Sequence, residues 1–248
     1  MSRAELFTCA QRFELSGVLG GSEGGIFNIV SINGLGEIEG DIDCVGFVCN
    51  GKASIRGFVQ AEHIVVNGSS SFRNVDTGKM RINGRSDFAG VVQCAGEFRI
   101  DGYAKVGSQL TCEQIGLNGF LSVKRNCSAE SFESRGSFRI QGLLNAGTID
   151  IELHSECRAR EIGGDRIFVR KSRKANPIAK LVKALTFNNE QLTAETIEGD
   201  DIQLEYTKAD IVRGNHISIG LGCQIGLVEY SGKFAQHQDA KVKDRRKI

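Results

Sequence analysis

The chain has 248 residues, 40% of them apolar and 25% charged, with 31 Lys and Arg against 30 Asp and Glu for a net charge of +1. That balance excludes disorder throughout, and it excludes a uniform field that would gather nucleic acid. With 31 Gly, one Pro, no Trp and 14 Phe, the composition favours short strands joined by tight turns, an all-β architecture. No stretch approaches the roughly 18 apolar residues of a spanning helix, and the N-terminus lacks a signal-peptide core. The expected compartment is the cytoplasm, with the eight cysteines as reduced thiols.

In chain order, Leu6, Phe7, Ala10 and Phe13 form a short apolar stripe before the glycine-rich run GVLGGSEGG, so 1–25 reads as a flexible N-terminal segment. From 26 to 157 the sequence repeats. The segments IVSING, GFVCNG, IVVNG, KMRING, EFRIDG, QIGLNG and SFRIQG end at Gly34, Gly51, Gly68, Gly84, Gly102, Gly119 and Gly142, at intervals of 17, 17, 16, 18, 17 and 23. Four residues before each glycine stand Val30, Phe47, Ile64, Met80, Phe98, Ile115 and Phe138; two before it, Ile32, Cys49, Val66, Ile82, Ile100, Leu117 and Ile140. Four after it come Ile38, Ile55, Phe72, Phe88, Val106, Val123 and Ala146. All 21 of these positions are apolar, where the composition predicts about 8 by chance.

Alternation of this kind marks strands. A near-constant period of about 17 with several apolar positions per repeat fits stacked solenoid coils better than hairpins, each coil lying about 4.8 Å from the last. The small residues ten after the glycine, Cys44, Ala61, Gly78, Cys94, Cys112 and Ala129, mark an inward corner. The residue before it is Asn33, Asn50, Asn67, Asn83, Asp101, Asn118 or Gln141, and such pairs are expected to make a corner by adopting left-handed backbone angles.

Residues 158–189 read as a basic insertion. Between Arg158 and Lys183 nine basic side chains face only Glu161 and Asp165, while from Glu190 to Asp210 seven acids answer Lys208. Mutual neutralisation of adjoining surfaces is the plain interpretation, and contact with an anionic membrane or nucleic acid the sharper one, the latter weakened by the few aromatics among these charges. Inside this block Asn176 can cap a short amphipathic helix over 177–185 with Ile178, Leu181, Val182 and Leu185 on one face. Over 190–232 further coils follow, since Ile162, Ile197 and Val212 precede Gly164, Gly199 and Gly214 by two, and Ile167, Ile202 and Ile217 follow by three. The basic end, 233–248, reads as a solvated tail.

No motif carries catalytic chemistry. The cysteines show no CxxC spacing, His63, His154, His216 and His237 share no coil offset, and there is no phosphate loop or nucleophile elbow. No metal or cofactor is expected, and nucleic acid is not expected as a partner. Left-handed hexapeptide-repeat acyltransferases are also β-solenoids, but three exact hexapeptides need about 18 residues per coil and favour a small residue directly after the apolar one. An enzyme of that kind, or a solenoid binding module, is the alternative reading.

The segments INGLGEIEGDI, CNGKASIRGFVQAEHIVVNG and FRIDGYAKVG resemble the bactofilins, polymer-forming cytoskeletal proteins of bacteria. The resemblance covers about half the chain, from about Val30 to Ala146. It implies a right-handed, roughly triangular parallel β-helix that polymerises end to end without nucleotide, often at the membrane, as a scaffold in cell shape, polar organisation or motility. The implied partners are further copies of the chain or a paralogous bactofilin. A solenoid exposes unpaired strand edges and apolar interior at its terminal coils. On the sequence these are lined by Val30, Ile32, Ile38 and Ile42 at one end and Ile217, Ile219, Ile225 and Val228 at the other, the expected self-assembly interface. Arg170, Lys171, Arg173, Lys174, Lys180 and Lys183 are the candidates for contact with a membrane or partner.

Overall fold

The structure, a computed structural model, describes residues 12–172 and 190–248. The chain divides into two compact units, Met1–Arg125 and Asn126–Ile248, and the secondary structure described in both is β-strand. Unit one holds β1 (Phe13–Leu15), β2 (Val18–Ser22), β3 (Gly25–Ile32), β4 (Leu35–Ile38), β5 (Ile42–Cys49), β6 (Lys52–Val66), β7 (Ser69–Ile82), β8 (Arg85–Phe88), β9 (Val92–Ile100), β10 (Tyr103–Val106), β11 (Leu110–Leu117) and β12 (Phe120–Val123). Unit two holds β13 (Cys127–Ser134), β14 (Ser137–Leu153), β15 (Cys157–Lys171), β16 (Leu192–Leu204), β17 (Thr207–Ile219), β18 (Gln224–Gln236) and β19 (Lys241–Lys247).

Each unit is a parallel β-solenoid. In unit one Phe13, Val30, Phe47, Ile64, Met80, Phe98 and Ile115 are successive rungs of one ladder. Like positions therefore stack as the period predicts, and all 21 apolar repeat positions are buried. Phenylalanine rings meet in the interior: Phe72 lies 5.4 Å from Phe47 and 5.3 Å from Phe88, ring centre to ring centre. Burial of each such ring contributes about 1.5 to 3 kcal/mol. In unit two Ile162, Ile197, Val212 and Val228 form one ladder, and Ile167, Ile202, Ile217 and Phe234 another.

The Asn-Gly corners are built differently from the expectation. Neither residue of these pairs has a positive φ; among the described residues the positive values fall at Gly21, Gly24, Gly25, Tyr206 and Gly222. The glycines are required by stacking. A Cβ at Gly51, Gly68, Gly84, Gly102 or Gly119 would land on the carbonyl oxygen of the glycine one coil earlier. Both amides of a pair share one acceptor, so Asn50 N and Gly51 N donate to Ile32 O at 2.8 and 3.1 Å. The asparagine side chains run as an amide ladder, in which Asn50, Asn67 and Asn83 each donate from Nδ2 to the Oδ1 one coil earlier at 2.7 Å.

Three boundaries also move. Within 1–25, β1 and β2 pair in register with β3 and β4, so Phe13 to Ser22 belongs to the solenoid. The proposed insertion begins too early, because Cys157–Lys171 is β15, paired along its length with β14 and β16. The helix over 177–185, with its cap and apolar face, lies outside the described residues. The proposed tail is the end of β18 followed by β19, which pairs with β18 from Gln224 to Tyr230. At the inward corner the rung between Ala61 and Cys94 is Thr77 rather than Gly78, because that coil is one residue short.

Candidate assembly surfaces

The eight residues expected to line the terminal coils are interior ones. Val30, Ile32, Ile38 and Ile42 are at most 2% exposed, as are Ile217, Ile219, Ile225 and Val228. Earlier rungs cover the first group: Phe13 pairs with Val30, Leu15 with Ile32, Ser22 with Ile38 and Gly25 with Ile42. Later rungs cover the second: Phe234 on Ile217, Gln236 on Ile219, Val242 on Ile225 and Arg245 on Val228.

The outermost described rungs differ in chemistry. In unit one they are apolar. Phe13 and Leu15 are half-buried, and the Phe13 ring sits 5.3 Å from Phe27. Val18 and Leu35, register partners on the neighbouring strands, expose 80% and 50% of their surface. In unit two the final coil mixes apolar and polar groups at inward positions. Phe234 and Val242 continue their ladders, whereas Gln236 and Arg245 replace the isoleucine and valine that precede them. The Arg245 guanidinium lies over the Phe234 ring at 5.6 Å. An inward-pointing charge on a Lys- and Arg-rich last strand is a known means of blunting a sheet edge. In unit two sequence inspection missed these rungs because Gln236 and Arg245 interrupt the apolar pattern; Phe13 and Leu15, four and two before Gly17, keep the repeat's offsets and were missed beside the glycine-rich run.

The candidate contact residues divide likewise. Arg170 pairs with Asp150, and Lys171 pairs with Glu190 at 3.1 Å while lying 4.4 Å above the Tyr206 ring. Glu205 accepts from the Lys171 backbone amide at 3.1 Å, and of these contacts the Lys171–Glu190 ion pair joins the basic and acidic stretches. Arg173, Lys174, Lys180 and Lys183 lie outside the described residues. Elsewhere on unit two, Arg139, Arg158, Thr193 and Lys208 are successive outward rungs. They line an open groove of about 610 Å³ with Glu195 and Asp210. Among the described residues no set of three or more His, Cys, Asp or Glu side chains is placed to hold a metal ion, and no helix is long and apolar enough to cross a membrane.

These features define an all-β protein built of parallel β-solenoid coils. The chain is 36% identical over 230 residues to the uncharacterized Bacillus subtilis protein YhbE, covering 92% of this chain and 95% of YhbE; it belongs to the YhbE family. It is also 36% identical over 110 residues to the uncharacterized Bacillus subtilis protein YhbF, covering 43% of this chain and 42% of that protein. No family model and no solved structure matches the chain.

Proposed function

We propose that this protein is a non-enzymatic scaffold of the bactofilin kind, which assembles by stacking terminal coils of one copy on those of another. A right-handed, roughly triangular coil, a cytoplasmic setting with peripheral membrane contact, and further copies or a paralogue as partners belong to this reading. The observation that carries it is the chemistry of the outermost described rung in unit one, where Phe13 and Leu15 continue an apolar ladder and are half-buried. Docking another coil there would extend the strand bonding and complete the burial of both side chains, as strand addition does at other sheet edges. On the unit-two side Phe234 and Val242 offer apolar surface, and the charge of Arg245 restricts which surface can seat there.

The test is Leu15→Lys and Phe234→Lys in the full chain, each compared with wild type by sedimentation after circular dichroism has verified its β content. Both sites lie on outermost rungs, so the coils beneath should stay folded while a lysine in the seam is buried without a partner. Large assemblies of wild type that are lost in Leu15→Lys support the scaffold. If both variants sediment as wild type does, or wild type is monomeric at every concentration and salt, the reading is wrong.

A further inference from the structure

All seven cysteines among the described residues are buried and in no disulfide, and two of them are register partners. Cys94 on β9 and Cys112 on β11 are direct register partners on adjacent coils. The corner ladder to which they belong reads Cys44, Ala61, Thr77, Cys94 and Cys112. Neighbouring strands lie about 4.8 Å apart, inside the roughly 4.4 to 6.8 Å span that a disulfide bridges between Cα atoms. Immediately after the pair the register slips, with Ala95 and Gly96 answering Glu113 alone. Such a bulge interrupts the ladder and lets one strand bend locally, which is the freedom the sulfurs need to close.

We infer that Cys94 and Cys112 form a peroxide-sensitive dithiol that closes to a disulfide clamping two successive coils of unit one. The Cys94 sulfur lies 3.6 Å from Gly78 O, and the Cys112 sulfur 3.0 Å from Gly96 O. Both oxygens belong to glycines at a corner. Either sulfur, once deprotonated, can act as the first nucleophile. It attacks one oxygen of hydrogen peroxide, the O–O bond breaks, and one water leaves once the displaced hydroxide is protonated. The sulfenic acid formed is attacked by the sulfur of the other cysteine. The S–O bond breaks, a second water leaves, and the S–S bond forms; two electrons have passed from the thiols to the peroxide. By contrast Cys127 and Cys157 face Leu144 and Leu192, and burial raises each of their pKa values to about 12.

The test treats the full chain with hydrogen peroxide and maps it by trypsin and mass spectrometry without reduction. Cys94 and Cys112 fall in separate tryptic peptides, 86–99 and 106–124, each with one cysteine. The expected product is these two peptides joined. The free thiols titrated after denaturation should fall by two from eight, and dithiothreitol should restore them. Cys94→Ser and Cys112→Ser should each abolish the joined peptide. Because the product is read on wild type, a variant that fails to fold does not decide the matter. Peroxide that oxidises other cysteines while leaving these two unlinked, or that joins either one to a different cysteine, overturns the inference.

Discussion

Gly84 shows why a residue's type can be legible while its reason is not. A repeating Asn-Gly suggests a left-handed turn, yet the glycine is fixed by the carbonyl of Gly68 one coil away, a contact that sequence separation hides. The distinction has a sign. Where a glycine has room and ordinary φ, alanine stabilises by about 0.4 to 1 kcal/mol through the unfolded chain. Gly116 has nothing within 4 Å of its would-be Cβ, so Gly116→Ala should be neutral or stabilising in urea titration, and Gly84→Ala should lower the midpoint. Asp101 is the second instructive residue. Lacking an amide, it cannot donate to Asn83; Arg81 spans the gap, donating to Asn83 Oδ1 at 2.9 Å and Asp101 Oδ2 at 3.0 Å. The hydrogen bond from Asn118, with help from Arg99 and Arg81, holds the Asp101 carboxyl below its usual range. A carboxyl depressed by folding stabilises above its unfolded pKa of about 3.9, and that contribution disappears as pH falls through the folded value. Urea titrations between pH 5 and 2 should therefore show wild type losing more stability than Asp101→Asn.

At the scale of elements, the strands between Val30 and Ala146 were legible because their inward positions are apolar at fixed offsets. Legibility failed where charge obscures alternation. In β15, Arg158 and Arg160 flank the buried Ala159, an ordinary strand pattern concealed by the count of arginines. It failed again in β18 and β19, where Gln236 and Arg245 occupy inward rungs and the sequence resembles a solvated tail. Ser134 at the end of β13 is a third case, a hydroxyl pointing inward with no hydrogen-bond partner, stacked beside Ile151. An unpaired buried hydroxyl costs free energy that a methyl does not. Ser134→Ala should accordingly raise the unfolding free energy by about 1 kcal/mol, and a lower urea midpoint would show that the hydroxyl has a role. Phe88→Ala should act in the opposite direction, costing about 3 to 5 kcal/mol because the ring lies 5.3 Å from Phe72 and 6.4 Å from Phe98 inside the coil.

For the whole molecule, the candidate surface was legible in kind and misplaced in position. Physical reasoning about solenoids says that terminal coils are the reactive ones. Deciding which coils are terminal required the register, which put Phe13 and Leu15 outside Val30 and Ile32, and Phe234, Gln236, Val242 and Arg245 outside the corresponding C-terminal set. A lysine at Ile38 or Ile219 would consequently report on folding of the core, whereas one at Leu15 or Phe234 reports on assembly. The central claim is that copies join by continuing the coil stack, and stacked coils place their strands across the direction of growth at about 4.8 Å. X-ray diffraction from oriented assemblies of the wild-type chain tests this most directly. A sharp meridional reflection near about 4.8 Å is the predicted result, and ordered elongated assemblies without that reflection would contradict coil-on-coil stacking.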